Sequence, residues 1–360
     1  MRLKRLHIEN FKNYTEKDLS FGSDLIGICG PNGCGKTNLL DAIHYLSLGK
    51  SYIHHVDQQN IRHGANYFLI EADLDTPGQE EVNLKIGYSP SRKKKISRNG
   101  VAYEKVLEHI GYVPVIMITP FDLSLITGTR EERRRLMDKV ISQFDKDYLY
   151  ALVNYNKVLE QRNKLIKQSY GSSSLDPQLT SVYDEQLVRY GQVIFEGRKN
   201  FIEQLYPHFA SFYGKIAGVE ESVSMVYESQ LQKTDFSQAL KDALNDDIQF
   251  QRTTVGPHRD EVGFYIFERP LKKFGSQGQQ KTFLFSLKLA LNEVFLAHKG
   301  YPPLMLLDDI GDRLDDQRLE HLAKLLSENH FGQTFITDIN SSRLKSFFIT
   351  SADKGEIISI

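Results

Sequence analysis

Gly30-Pro31-Asn32-Gly33-Cys34-Gly35-Lys36-Thr37 follows the apolar run Leu25-Ile26-Gly27-Ile28-Cys29 and precedes the helix-like Asn38-Leu39-Leu40-Asp41-Ala42-Ile43. The octapeptide fits G-x-x-x-x-G-K-[ST] in the strand-to-helix setting that gives this motif its meaning. Glycines let successive backbone N–H groups turn onto phosphate oxygens, and the following helix offers the positive end of its dipole to the same anion. Residues Gly30 to Asn38 are therefore predicted to hold a nucleoside triphosphate, with Lys36 on the β- and γ-phosphates. The Thr37 hydroxyl suits Mg2+, which prefers oxygen ligands and keeps several waters beside substrate phosphates.

Such a site needs a carboxylate at the end of a buried strand. Pro303-Leu304-Met305-Leu306-Leu307-Asp308-Asp309 supplies one, because a run of apolar residues ahead of the acids reads as a strand covered on both faces. Asp308 is assigned to the metal. Asp309, on the opposite side of the strand end, is assigned with Lys36 to catalysis, orienting the attacking water or taking its proton.

Lys36 and Asp308 stand far apart in the chain, with a helical segment between them. That layout is the one found in ABC-type ATPases, and it predicts a third motif just before the acidic strand. Phe274-Gly275-Ser276-Gln277-Gly278-Gln279-Gln280-Lys281 occupies that place and resembles the ABC signature. Ser276, Gln277, Gly278 and Gln279 combine a hydroxyl, a glycine N–H and a helix start into a second anion site. In the ABC class this corner binds the γ-phosphate held by a second subunit, so that nucleotide joins a head-to-tail dimer. A plain N-cap at Ser276 is the competing structural reading.

Together with these motifs, Leu6-His7-Ile8-Glu9-Asn10-Phe11-Lys12-Asn13-Tyr14, Thr119-Pro120-Phe121-Asp122-Leu123 and Gly256-Pro257-His258-Arg259-Asp260 occur in an order that resembles the RecF family of bacterial recombination mediators. The resemblance spans essentially the whole chain. It implies an α/β fold: an ABC-type P-loop ATPase head related to SMC heads, a mixed sheet with flanking helices and an inserted, mainly helical second lobe. It also implies ATP with Mg2+, an ATP-dependent homodimer, weak DNA-dependent hydrolysis, and double-stranded, gapped or junction DNA as partner. Work with RecR, and through it RecO, in loading RecA follows from the same resemblance. So do nucleotide contacts from Lys12 and Asn13. Departures from wider patterns are Asp309 in place of glutamate, Asp312-Arg313-Leu314-Asp315 in the loop after the acidic strand, Phe121 in place of an acid, and Asp338 where transporters carry histidine.

Apolar periodicity places the first ATPase half in residues 1–125, the helical lobe in 126–250 and the second ATPase half in 251–360. Strands are expected at Arg2–Ile8, Leu25–Cys29, Tyr67–Asp73 and Val82–Tyr88, with a hairpin turn at Asn99-Gly100. Helices are expected at Glu131–Phe144, Tyr148–Gln168 and Val182–Phe212, the last two joined by the turn-rich Ser169–Pro177. Strands return at Val223–Tyr227, Gly263–Phe267, Pro303–Leu307 and Gln333–Thr337, around helices at Ser276–His298 and Asp316–Glu328.

With 45 basic and 46 acidic residues among 360, the charge is −1, so any nucleic-acid contact is a local patch. Two such patches stand out: Arg92-Lys93-Lys94-Lys95 with Arg98, and Arg130 with Arg133-Arg134-Arg135. Solvated charged faces are the alternative for both. Only Cys29 and Cys34 occur, both at the phosphate loop and at no metal or disulfide spacing, and no apolar run reaches membrane length. A cytoplasmic protein without a membrane partner is expected. A transporter ATPase subunit would use the same loop and signature, but Ser-Gln-Gly-Gln-Gln and the long helical insertion argue against it. An SMC-type chromosome-organising head needs a longer heptad-patterned arm than Ile126–Phe250 provides. A nucleotide-gated binder that hydrolyses nothing is the third alternative.

Overall fold

The computed structural model describes residues 1–169, 177–218, 220–309, 316–328, 331–350 and 355–360. In chain order it begins with β1 (Arg2–Phe11), β2 (Tyr14–Ser20), β3 (Leu25–Cys29) and helix α1 (Lys36–Leu48). Next come β4 (Phe68–Thr76), β5 (Gln79–Ser89), β6 (Lys93–Arg98), β7 (Val101–Ala102) and β8 (Val115–Ile118). The helices α2 (Arg130–Phe144), α3 (Lys146–Ser169) and α4 (Pro177–Ala217) follow, then β9 (Val223–Glu228), β10 (Glu261–Ile266) and β11 (Arg269–Pro270). The chain closes with α5 (Gln277–Lys299), β12 (Leu304–Leu307), α6 (Asp316–Glu328), β13 (Thr334–Asp338), α7 (Ser341–Thr350) and β14 (Glu356–Ser359).

Two compact units result: residues 1–123, 211–220 and 276–360 in the first, 124–210 and 221–275 in the second. Beyond the short stretch 211–220, the chain rejoins the first unit at Ser276, later than the expected 251. The reason is strand pairing: β9 and β10 pair antiparallel from Val223↔Ile266 to Glu228↔Glu261 and, with β11, make a sheet of their own. The strands expected to resume the main sheet at Val223 and Gly263 therefore belong to the second unit, beside its helices. The turn-rich segment between α3 and α4 lies, at 170–176, outside the described residues.

The α/β head expected for the first unit is built on two sheets. One is antiparallel, in the order β2-β1-β4-β5-β6-β7, and the other has the order β14-β3-β13-β12-β8 with parallel pairings throughout. Every residue of β3, β8, β12 and β13 is buried, as a parallel sheet covered on both faces requires. The antiparallel sheet alternates instead, and its turn at Asn99-Gly100 takes φ of 50° and 79°, the left-handed pair a two-residue hairpin needs. Helix α1 is buried nearly all round, and Leu39, Leu40, Ile43 and Leu46 share one core with Leu6 and Ile70 of one sheet and Ile28 and Leu306 of the other. Edge-on contacts among Phe11, Tyr45 and Phe68, with ring centroids 5.2–5.8 Å apart, fill its centre. Truncating one such side chain costs about 2–5 kcal/mol. Gln333 stitches the two sheets together through bonds to the Leu3 N–H at 2.7 Å and the Leu3 carbonyl at 3.0 Å. The consequence for function is positional: the carboxyl ends of β3, β13 and β12 lie side by side, where parallel sheets bind ligands.

Candidate nucleotide site

The phosphate loop leaves β3 and enters α1 through Gly35, at φ 117°, where a Cβ would stand 2.5 Å from Asn13 Nδ2. No other residue type fits both the conformation and the space. Loop residues Cys34 and Gly35 are held from the β1–β2 turn: Asn13 Nδ2 donates to the Cys34 carbonyl at 2.9 Å and the Tyr14 hydroxyl to the Gly35 carbonyl at 3.1 Å. Asn38 in turn donates to Asn13 Oδ1 at 2.8 Å. The Lys36 ammonium lies across the loop, donating to the carbonyls of Gly30 at 2.6 Å and Pro31 at 3.0 Å. A triphosphate offers that cation a stronger, charged acceptor.

Lys12, expected on the nucleotide, is turned inward instead. Its ammonium pairs with Asp41 at 2.5 Å, and the Asp41 side chain is fully buried. Asp41 also accepts from the Ser51 hydroxyl and the Tyr52 N–H, both at 2.6 Å, so the pair anchors α1 and the segment after it. Removing one partner of such a pair strands a buried charge. The placement makes Lys12 a brace behind the loop. No spacing rule exposes this, because Lys12 and Asp41 meet only through the fold.

At the end of β12 the Asp308 carboxylate accepts from the Thr37 hydroxyl at 2.9 and 3.0 Å and from the Thr337 hydroxyl at 2.8 Å. Burial raises its carboxyl above the usual range, the two threonines and Lys36 opposing and Asp309 adding to the rise. Among the described residues no group of three His, Cys, Asp or Glu side chains gathers to hold a metal. The Thr37 and Asp308 oxygens nonetheless lie at the separation of adjacent ligands in a Mg2+ octahedron, about 2.9 Å for bonds of about 2.1 Å. The donor set fits a hard divalent cation that takes its remaining oxygens from phosphate and water. Asp309 adopts φ 52°, and its N–H donates to Thr337 at 2.8 Å. Thr337, which the sequence did not single out, therefore holds both acids in register. The only sequence cue was a hydroxyl near the end of the neighbouring strand.

Ser276 caps α5 in a capping box: its hydroxyl accepts from the Gln279 N–H at 3.2 Å, and its own N–H donates to Gln279 Oε1 at 2.8 Å. The N-cap reading is thus correct as local structure, and the helix begins at Gln277. Gly278 leaves room for a guanidinium, since a Cβ there would stand 2.7 Å from Arg318 Nη1. Arg318, on α6, is a second residue the sequence reading missed. The altered loop Asp312-Arg313-Leu314-Asp315 lies outside the described residues.

Asp122, the one acid of Thr119–Leu123, is buried and takes the Tyr52 hydroxyl and the Lys288 ammonium, the latter at 3.2 Å. Phe121 beside it is 66% exposed. Asp338 is buried, accepting from the Asn340 N–H at 2.7 Å and from Arg343 at 3.3 Å.

The basic clusters divide by the side of the element each residue occupies. In β6, Lys94 turns inward to Asp57 at 2.9 Å and the Gly49 carbonyl at 2.5 Å, whereas Arg92, Lys93 and Lys95 are exposed. Arg98 lies over the rings of Tyr103 and Tyr112. On α2, Arg133 is buried against Glu261 at 2.9 Å and the Leu125 carbonyl, and Arg130 joins the same glutamate at 2.5 Å. Arg135 pairs with Glu131, and Arg134 donates to the Asp260 carbonyl at 2.5 Å. Lys94 and Arg133 are thus internal ties, and the expected patch on α2 is largely neutralised by its own neighbours.

Residues 2–350 match the family model described as the RecF/RecN/SMC N terminal domain. The chain is 42% identical over 346 residues, 96% of each chain, to the DNA replication and repair protein RecF of Flavobacterium johnsoniae. The protein of the same description from Bacteroides fragilis is 41% identical, over 96% of this chain and 92% of its own. A solved structure of the recombination mediator protein RecF-ATP in the RecFOR pathway aligns with a TM-score of 0.87 at 29% identity, covering 95% of this chain and 92% of that one. An Smc head bound to the C-winged helix domain of ScpA aligns with a TM-score of 0.58 at 16% identity over 96% and 91%, a likeness of fold. No helix among the described residues is long and apolar enough to cross a membrane.

Proposed function

This chain belongs to the RecF family, within the RecF/RecN/SMC N-terminal-domain proteins, and on that premise we propose that it is an ATP-dependent DNA-binding protein of recombinational repair and replication-gap rescue. ATP held by Gly30 to Asn38 drives head-to-tail dimerisation on DNA, and slow hydrolysis releases it. The observation that carries the reading is the meeting of Thr37 and Asp308 at 2.9 Å, which brings the phosphate loop and the acidic strand into one site. Mg2+ held by Thr37 and Asp308 would supply charge neutralisation at the triphosphate. Lys36 exchanges its two loop carbonyls for phosphate oxygens. Asp309, shorter by a methylene than glutamate, orients or deprotonates the attacking water, in keeping with slow turnover. Thr337 fixes where both acids sit. The Ser276–Gln279 corner seals the γ-phosphate of a second copy. DNA binds through phosphate contacts from Arg92, Lys93 and Lys95, which are exposed, and confer affinity without reading sequence. RecR, and through it RecO and RecA, are the partners this role implies.

Light scattering with and without ATP tests the arrangement. Lys36→Ala is expected to abolish nucleotide binding. Ser276→Arg is expected to leave monomer binding intact and to block ATP-induced dimerisation; a Ser276→Arg protein that dimerises normally refutes the trans site. Single-turnover hydrolysis by Asp309→Asn tests the catalytic assignment, and an unchanged rate removes it.

A further inference from the structure

The Gly256-Pro257-His258-Arg259-Asp260 turn of the second unit is fastened on almost every side. Gly256 sits at φ 127°, where a Cβ would stand 2.6 Å from the Tyr155 hydroxyl and 2.8 Å from the Phe236 ring. His258 is bonded at both nitrogens, to the Tyr155 hydroxyl at 2.7 Å and the Thr253 carbonyl at 3.0 Å. Asp260 takes the Tyr227 hydroxyl at 2.5 Å and the buried Arg198 guanidinium at 3.4 Å. Arg198 also donates to the Pro257 carbonyl at 2.6 Å and to Asp138 at 2.9 Å. Buried ionic networks add little net stability over apolar packing, and their best-attested use is to hold one geometry. Here the geometry held is that of a single displayed side chain. Arg259 alone among the charged groups of the turn is exposed, with no ion pair among the described residues.

Arg259 lies on the wall of a cavity of about 670 Å³ that Arg134, Lys233, Ser229, Gln230 and Thr254 also line. Its lining carries the cations Arg130, Arg134, Lys233 and Arg259 against the carboxylates Glu228 and Glu261, and Glu261 is already paired with Arg130 and Arg133. Lys233, like Arg259, is exposed and makes no ion pair among the described residues. The uncompensated charge of the cavity is therefore positive. Its lining has no aliphatic side chain, and its one aromatic ring, His258, is bonded at both nitrogens, so a nucleobase finds little surface to stack on. Amide, hydroxyl and guanidinium groups suit carboxylates and peptide bonds instead.

We infer that this cavity docks an acidic peptide segment of a partner protein, with Arg259 and Arg134 taking a carboxylate and Ser229, Gln230 and Thr254 the adjoining main chain. Burial and the neighbouring Arg198 both lower the Arg134 pKa, a strain that an arriving carboxylate relieves. Nothing in the nucleotide site enters this inference.

The test is fluorescence anisotropy of a fluorescein-labelled octapeptide of alternating Asp and Glu, titrated with the full chain at two salt concentrations. Binding is expected to weaken with salt and to fall about tenfold or more in Arg259→Glu, the loss of one charge-assisted contact plus repulsion. Lys233→Glu is expected to act in the same direction. Both residues are exposed, so melting temperature and ATP binding are expected to stay at the unsubstituted values. The inference is overturned if the acidic octapeptide binds no better than its Asn/Gln counterpart, or if both substitutions leave binding unchanged. It is likewise overturned if unlabelled oligo(dT) of eight nucleotides displaces the peptide as well as the unlabelled peptide does, which makes the cavity a nucleic-acid phosphate site.

Discussion

Replacing Asp308 by Asn is expected to stabilise the nucleotide-free protein while abolishing its metal-dependent response to ATP. Asp308 is 4% exposed, and burial dominates the rise in its pKa. A carboxyl whose native pKa exceeds its unfolded value holds its proton more readily when folded. Stability therefore falls as pH rises through that window. Asn keeps the shape, accepts one threonine hydroxyl through Oδ1 and offers its NH2 to the other, so the contacts to Thr37 and Thr337 reorganise without loss. Removing the buried charge returns on the order of 1 kcal/mol, about 1–3 °C in melting temperature for a chain of this size. Saturating Mg-ATP is expected to stabilise the unsubstituted protein by about 2.7 kcal/mol at a hundred times its Kd. That increment is expected to vanish in Asp308→Asn, so the two proteins cross: the variant melts higher alone and lower with Mg-ATP. Scanning calorimetry with ATP and Mg2+, ATP and EDTA, and neither decides it. A variant that melts lower without nucleotide, or keeps its Mg-ATP increment, refutes the placement of Asp308 as a buried metal-side carboxylate.

Gly35→Ala places a Cβ 2.5 Å from Asn13 Nδ2 at φ 117°, a strain of about 1–3 kcal/mol, and is expected to weaken binding of a fluorescent ATP analogue at least fivefold; unaltered affinity means the loop is not so constrained. Arg198→Met leaves Asp138 and Asp260 without their shared cation and is expected to cost about 3–5 kcal/mol, read by urea unfolding. Burial lowers the His258 pKa to about 4, so the unfolded chain binds the extra proton between pH 6.5 and 4 and stability is lost as pH falls through that range. The loss approaches about 3 kcal/mol by pH 4, and His258→Gln is expected to remove it from the pH dependence of the melting temperature. Lys95→Glu is expected to lower DNA affinity and reduce the slope of log K against log salt by about one, whereas Lys94→Gln is expected to lower melting temperature with little change in that slope.

Much of the candidate nucleotide site was legible in the residues because its parts are local. A phosphate loop is one continuous turn whose glycines, lysine and threonine are dictated by backbone geometry over eight positions, and an acid at the end of a four-residue apolar run is equally short-range. The helices at Arg130, Lys146 and Asp316 and the Asn99-Gly100 hairpin were readable for the same reason, since periodicity and turn chemistry act between near neighbours. Only tertiary structure decided which charged groups face inward. Lys12 meets Asp41, Lys94 meets Asp57, Arg133 meets Glu261, and Thr337 takes hold of Asp308 and Asp309, in each case across elements that no sequence spacing relates. The assignment of β9 and β10 to the second unit belongs to the same class, because strand partners are chosen by which edges and apolar faces remain to be covered once the rest of the chain has folded. Local sequence specifies what a segment can become, whereas burial, which depends on everything packed around it, settles what its side chains are used for.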